Sequence, residues 1–509
     1  MTRHVVVIGA GMAAVRLVEE LRARGSRDPI TLIGAEEHAP YNRILLSAVL
    51  EGTHRAEALA LRPEEWYAEH DVDLRRGTRV VRIDCDRRAV ELADGSEVAY
   101  DALVLATGAI PTLPPIRGLV DADGGLHPAV HAFRSLDDCH RLDAAVTERL
   151  SAHFFPVESA VVPAGRGDVP TRPTTSEHST DDKCRLNPRA VVVGGGLLGL
   201  QVARALAVRG LAVEVVEGGE HLLRSQVGPD AGRVLARSLA RLGTEVYTGA
   251  RVVRLHDHGE ASARRIGAEL DNGHTLDADL VVLTAGGRPA TGLARAAGLA
   301  VGRGVVVDDR LTSVSDDHVH AIGDCAEHAG HVHGFVPPAW EQATVLADVL
   351  TGDPTTYDGS RIVARLRATD LDVAVLGDPE REARAGGEVV EVSNPFRGSH
   401  RRLVVRDGRI VAGTLVGDLR HVGLITQHYD RRTVLAPDEP GDLLLPPPPP
   451  TDAAPLVDLP DDAEVCTCAG VSAGAVRACS DVEQARTTTR ATTGCGGCTA
   501  TVRQLLAQR

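Results

Sequence analysis

Twice in this chain an apolar run of strand length ends in a glycine turn and enters a helix-like stretch, a text that few backbone geometries accept. The first copy runs from Val5, Val6, Val7 and Ile8 into Gly9, Gly11 and Ala14, a G-x-G-x-x-A turn with helical spacing from Ala13 to Leu21. The second runs from Ala190 to Val193 into Gly194, Gly196 and Gly199, the full G-x-G-x-x-G. In each, the first glycine permits the tight turn and the second lacks a Cβ, so that backbone can approach a pyrophosphate. The third small residue lets helix and strand pack closely. One such turn can simply open an ordinary βαβ unit. Here the following strands add weight, because residues 30–33 lead to Glu36 and residues 212–216 lead to Glu217, each placed to accept from a ribose hydroxyl.

Two dinucleotide units are therefore expected. No Arg or Lys directly follows Glu217, and a carboxylate repels a 2′-phosphate that needs a cation, so the second unit is expected to prefer NADH over NADPH.

Three further strand ends extend the pattern. Residues 102–106 end at Thr107 and Gly108, residues 280–283 lead to Thr284 and Gly286, and residues 318–322 lead to Gly323 and Asp324. Alone, an Asp after a strand commonly makes only an Asx turn. Together these stretches resemble the two-dinucleotide flavoprotein reductases, in which such an Asp accepts from the ribityl chain of the flavin. The resemblance implies that Gly9, Gly11, Ala14, Glu36, Arg43, Thr107, Gly108, Gly323 and Asp324 hold FAD, and that Gly194, Gly196, Gly199 and Glu217 hold NADH. It implies no catalytic acid or base.

Near the other end stand Cys466 and Cys468, a C-x-C pair, and Cys495 and Cys498, a C-x-x-C pair. Four thiolates form a tetrahedral ligand set, and soft sulfur selects zinc or iron–sulfur. This spacing resembles the bacterioferritin-associated ferredoxin type of [2Fe–2S] domain, with a shorter segment between the pairs. Zinc and free thiols stay open as alternatives. Gly494, Gly496 and Gly497 would let backbone amides approach the sulfurs.

The stretch Pro40, Tyr41, Asn42, Arg43, Ile44 and the stretches from Gly323 to His328 and Trp340 to Ala343 resemble the FAD/NADH-binding half of assimilatory nitrite reductase large subunits. They are similar also to the electron-transfer subunit of assimilatory nitrate reductase. Gln201 stands where that branch commonly has an acid, and Asp324 where it often has Glu. No cysteine lies between Met12 and Leu50, so the dithiol of the disulfide-reducing branch is not expected, and Cys325 reads as a buried structural thiol. His328, His331 and His333 are spaced unlike ligands on one helix or strand face and read as polar loop residues near the flavin. The chain stops at Arg509 without a sirohaem domain, so the resemblance implies an electron mover. Its partner would be a molybdenum-containing nitrate reductase catalytic subunit.

At 509 residues several domains are expected. The predicted fold class is α/β, with two Rossmann-like domains of the two-dinucleotide flavoprotein type, a small α+β domain and a small helical cluster module. The FAD domain is expected at 1–145 and 301–350, with the nucleotide domain at 189–300. A Pro-, Ser- and Thr-rich disordered insertion is expected at 146–188. The α+β domain, with a hairpin turning at Asp407 and Gly408, should span 351–434. A Pro-rich tether at 435–462, extended at 446–450, would let the module at 463–509 swing. A net charge of −15 disfavours a nucleic-acid partner, and no apolar run is long enough for a membrane span. With no signal-like start and nine cysteines lacking a disulfide-like framework, a cytoplasmic location is expected. Rival functions are a reductase feeding a monooxygenase through ferredoxin or rubredoxin, the FAD subunit of an amino-acid or opine oxidase, and a redox sensor.

Overall fold

The computed structural model describes residues 3–121, 123–154, 187–258, 266–368, 370–445, 459–466, 469–493 and 497–507. Strand Val5–Ile8 lies between the parallel strands Ile30–Ile33 and Ala102–Leu105 in an eight-stranded sheet. All four residues of each are buried, as strands covered on both faces must be. Helix Met12–Ala23 packs on one face against helix Val336–Thr351. The second sheet repeats this plan with Arg189–Val193 between Ala212–Glu217 and Leu280–Leu283. A three-stranded antiparallel sheet accompanies each unit. The two units are stitched together by strand Ala109–Pro111 against Gly287–Pro289.

Several expected boundaries move. Strand Val130–Ala132 belongs to the second sheet, where it pairs with Leu280–Leu283, so the expected first FAD segment of 1–145 crosses domains before its end. In the other direction Ala294 and Leu299 pack into the first core, so the chain returns before residue 300. The insertion expected from 146 does not begin there, because helix Leu136–Phe154 continues. Cys139, Leu142 and Val146 recur at helical spacing and are fully buried, which carries the helix onward. Residues 155–186 lie outside the described residues.

The α+β domain is a five-stranded antiparallel sheet with helix Val422–Arg431 against it. Its central hairpin pairs Arg406 with Arg409 across Asp407 and Gly408, whose φ values of +50° and +68° make the two-residue turn that suits strand twist. The domain runs past 434: Leu435, Leu443 and Leu444 are buried in its core, because the expected tether opens with apolar residues that need covering. The extended stretch expected at 446–450 lies outside the described residues. The last module has a short hairpin, Glu464–Cys466 with Val471–Ser472, and helices Ala473–Arg477 and Thr499–Ala507 around its own small core. Among the described residues, no helix is long and apolar enough to cross a membrane.

Candidate functional site

Both glycine turns have the strained geometry that only glycine tolerates. Gly9 has φ +107° and Gly194 φ +117°, and a Cβ on them would lie 2.2 Å from Ala106 O and 2.5 Å from Thr284 O. By contrast, a Cβ on Gly11 or Gly196 would meet no protein atom within 4 Å. These two glycines stand before the first turns of helices Met12–Ala23 and Leu197–Val208. First-turn N–H groups have no intrahelical partner, and no Cβ here would crowd a pyrophosphate laid against them. Ala14 is fully buried beneath the first turn.

One cleft of about 1460 Å³ joins the two units, large enough for a dinucleotide-sized ligand. Gly9, Gly11, Thr107, Gly108 and Asp324 line it, and so do Leu197, Leu198 and Gln201 from the second helix. Thr107 Oγ1 donates to Ala290 O at 2.8 Å and thereby ties the first unit's strand end to the return crossing. Gly323, at φ +75°, receives its bond from the other side, its N–H donating to Gln342 Oε1 at 2.7 Å. Helix Val336–Thr351 begins at the same wall, which aims its positive end into the cleft.

Glu36 and Arg43, expected to contact FAD, are joined to each other. Arg43 Nη2 pairs with Glu36 Oε1, and Tyr41 supplies the hub. Its hydroxyl donates to Glu36 Oε2 at 2.7 Å and accepts from Arg43 Nη1 at 2.9 Å and from Leu136 N at 2.8 Å. Burial pushes the Tyr41 hydroxyl pKa up, so it stays a donor. Burial opposes the Arg43 charge, but Tyr41 and Glu36 outweigh it and the net shift is upward. Asp324 is paired with Arg134, Nη2 to Oδ2 at 3.0 Å, and Arg134 Nε also holds Ala109 O at 2.8 Å. Sequence reading missed Tyr41 and Arg134 as site residues. Arg134 stands 190 positions from its partner in no motif, whereas the bulky phenol inside the loop around Arg43 was a usable signal.

On the far wall Glu341 and Asp430 have carboxyl groups pushed above the usual range, first by burial, and then by the charge of Asp430 on Glu341 and of Glu464 on Asp430. His328, His331 and His333 are not in the cleft lining. His328 and His333 pack instead beside Tyr357, with His328 Nε2 2.8 Å from Asp309 Oδ1, and His331 Nδ1 lies 2.9 Å from Ala329 O within its own loop. Cys325 is fully buried, its thiol donating to Leu105 O at 3.2 Å.

In the second unit, Glu217 ends its strand and accepts from Gly195 N at 2.7 Å and Gly219 N at 2.6 Å. The fold also brings two guanidinium groups that the text after Glu217 did not announce. Arg224 Nε lies 3.8 Å from Glu217 Oε1, and a Cβ on Gly218 would lie 3.0 Å from Arg251 Nε.

In the last module Cys466 and Cys498 are buried at 3% and 7% exposure. Their side chains meet in a thiol–thiol hydrogen bond, which together with burial pushes the Cys466 thiol far up. Thr492 N–H donates to Cys498 Sγ at 3.2 Å. Cys468 and Cys495 lie outside the described residues. The other buried thiol, Cys479, bonds to Ala475 O at 3.3 Å.

Residues 3–344 match the family model for pyridine nucleotide-disulphide oxidoreductase. Among curated relatives, nitrite reductase [NAD(P)H] of Bacillus subtilis (strain 168) is 30% identical over 514 residues, covering 99% of this chain and 57% of that one. The assimilatory nitrate reductase electron transfer subunit of the same strain is 29% identical over 520 residues, covering 99% and 59%. This chain thus spans under two thirds of their lengths. Among solved structures, the covalent putidaredoxin reductase–putidaredoxin complex superposes with a TM-score of 0.71 at 25% identity, covering 86% of this chain and 96% of that one. The chain belongs to the pyridine nucleotide-disulphide oxidoreductase family and is an NAD(P)H-dependent FAD oxidoreductase, related to nitrite and nitrate reductase electron-transfer proteins and to ferredoxin reductases.

Proposed function

We propose that this protein passes electrons from NADH through FAD and a [2Fe–2S] cluster to a one-electron acceptor, as the electron-transfer subunit of an assimilatory nitrate reductase whose catalytic subunit carries molybdenum. The carrying observation is the meeting of Cys466 and Cys498, 32 residues apart, with the Thr492 N–H aimed at the second sulfur. A cluster needs thiolates brought together from separated pairs and amide donors to offset its negative charge. Cys468 and Cys495 would complete the set.

Bound FAD would supply hydride acceptance from the nicotinamide and single-electron release, which is the form an iron–sulfur centre accepts. The protein's own residues position the reactants. Gly11 and the turn amides cradle the pyrophosphate of FAD, and Asp324, fixed by Arg134, accepts from the ribityl chain. Gly196 and Glu217 do the same for the nucleotide's pyrophosphate and ribose, while Leu197 and Leu198 bring that domain to the wall of the flavin cleft. The balance is NADH + 2 acceptor(ox) → NAD⁺ + H⁺ + 2 acceptor(red).

The test is iron, acid-labile sulfide and FAD analysis of the purified protein, followed by NADH-driven reduction of FAD and of a one-electron protein acceptor in wild type and Cys498→Ser. Two iron and two sulfide per chain are expected, with hydride transfer kept and protein-acceptor reduction lost in the variant. One zinc without sulfide would sink the cluster. A second reading, a reductase serving a separate ferredoxin, is favoured by the likeness to putidaredoxin reductase. It requires that Cys498→Ser leave acceptor reduction intact.

A further inference from the structure

The cysteine module is seated on the FAD domain through contacts that the electron-transfer reading does not itself use. Glu19 projects from helix Met12–Ala23 with its side chain only 10% exposed. Its carboxylate collects Arg62 Nε at 2.8 Å and, from the module, Arg490 Nη1 at 2.9 Å, with Arg16 Nη1 at 3.8 Å. Arg490 follows the helical turn Ala485–Thr489 in the left-handed region, at φ +63°, a strained conformation for a side-chain-bearing residue that surrounding contacts must hold. Its guanidinium is 20% exposed.

A second contact lies beside the first. Asn42, 7% exposed, donates from Nδ2 to Thr493 O at 3.3 Å while its Oδ1 accepts from Ile44 N at 3.0 Å and caps the turn Arg43–Leu45. Thr493 follows Thr492, whose N–H holds Cys498 Sγ. Asn42 stands between Tyr41 and Arg43, which line the flavin cleft. From sulfur to cleft wall, the connection is therefore covalent apart from two hydrogen bonds.

We propose that Glu19 and Arg490 form a latch that fixes the module against the FAD domain, making the contact between Thr493 and Asn42 the exit by which electrons leave the flavin cleft. The exit half rests on the cysteine module carrying a [2Fe–2S] cluster. Glu19 and Arg490 are positioning residues, and the module works from a dock rather than by swinging. Breaking the latch slows transfer without abolishing it, because a module joined by a short connection stays at an effective concentration on the order of millimolar.

The experiment uses the full-length holoprotein with Arg490→Ala, Arg490→Lys and Glu19→Gln. Amide hydrogen exchange is followed at residues 40–45 and 485–493, alongside iron, sulfide and FAD content and stopped-flow reduction of flavin and cluster by NADH. In Arg490→Ala, exchange at both segments is expected to rise about tenfold or more, with cofactor content and flavin reduction unchanged and electron arrival at the cluster about tenfold slower. Arg490→Lys, which keeps the charge, should recover most of the protection, and Glu19→Gln should behave like Arg490→Ala. Unchanged exchange at residues 40–45 in Arg490→Ala and Glu19→Gln overturns the latch. Raised exchange with electron arrival at the native rate overturns the exit. A wild-type protein without iron or sulfide overturns the cluster reading and the exit with it, while the exchange measurements still decide the latch.

Discussion

Glu217→Gln is the substitution whose consequence the geometry defines best. The carboxylate has its side chain 14% exposed, accepts from the Gly195 and Gly219 amides, and lies 3.8 Å from a guanidinium, Arg224, that is 63% exposed. With the ribose placed at Glu217 as proposed, removing the charge weakens its hydroxyl's bond to an ionised acceptor, worth about 1.5–3 kcal/mol, or roughly ten- to a hundredfold in NADH affinity. It also removes the repulsion felt by a 2′-phosphate and releases Arg224 to pair with it, a gain of about tenfold or more for NADPH. The amide that glutamine leaves unpaired costs about 1–3 kcal/mol, but both nucleotides bear that cost equally and it cancels in their ratio. The expected result is a shift of about a hundredfold or more in the NADPH-to-NADH ratio of kcat/KM with ferricyanide as acceptor, and a parallel shift in NADP⁺ and NAD⁺ affinities by calorimetry. Adding Arg224→Ala should take back the NADPH gain. An unchanged ratio in a variant of normal FAD content and Tm would refute the placement of the ribose at Glu217.

Three further outcomes are expected. Gly199→Ala would set a Cβ 1.9 Å from Gly194 O, so the turn must shift at a cost of about 1–3 kcal/mol; NADH reduction of FAD should be lost while FAD content, measured by absorbance, is kept. Asp324→Ala takes away the carboxylate partner of Arg134 and the proposed ribityl acceptor, and FAD should bind about ten- to a hundredfold more weakly by fluorescence titration. His320 is 5% exposed, and burial holds its pKa down at about 4 against 6.5. Between those values the unfolded chain binds a proton that the folded chain refuses, so its contribution to stability is full above about pH 6.5 and declines by about 3 kcal/mol as pH falls to 4. His320→Gln should flatten the fall of Tm over that window, and an equal slope would show that His320 does not govern it.

What could be read from the chain alone was local in cause. Gly9 and Gly194 are forced by backbone dihedrals that a Cβ forbids, Gly11 and Gly196 fit the space that the proposed pyrophosphates need, and Asp407 with Gly408 answer to the twist of a hairpin. Each leaves its mark within a few residues. The same holds for the strands, whose burial on both faces writes continuous apolar runs. Where a partner is distant, no such mark exists. Arg134 reaches Asp324 across 190 positions, Arg490 reaches Glu19 across 471, and Arg224 comes to Glu217 and Arg251 to Gly218 only because the second unit folds its loops over the strand end. Val130–Ala132 joined the other sheet and helix Leu136–Phe154 ran on for the same reason: a three-residue strand and a helix end are decided by which surface is there to cover them. Local sterics determined the nucleotide turns from sequence, whereas charge pairing and docking, which depend on separations set by packing, were decided only by the tertiary structure.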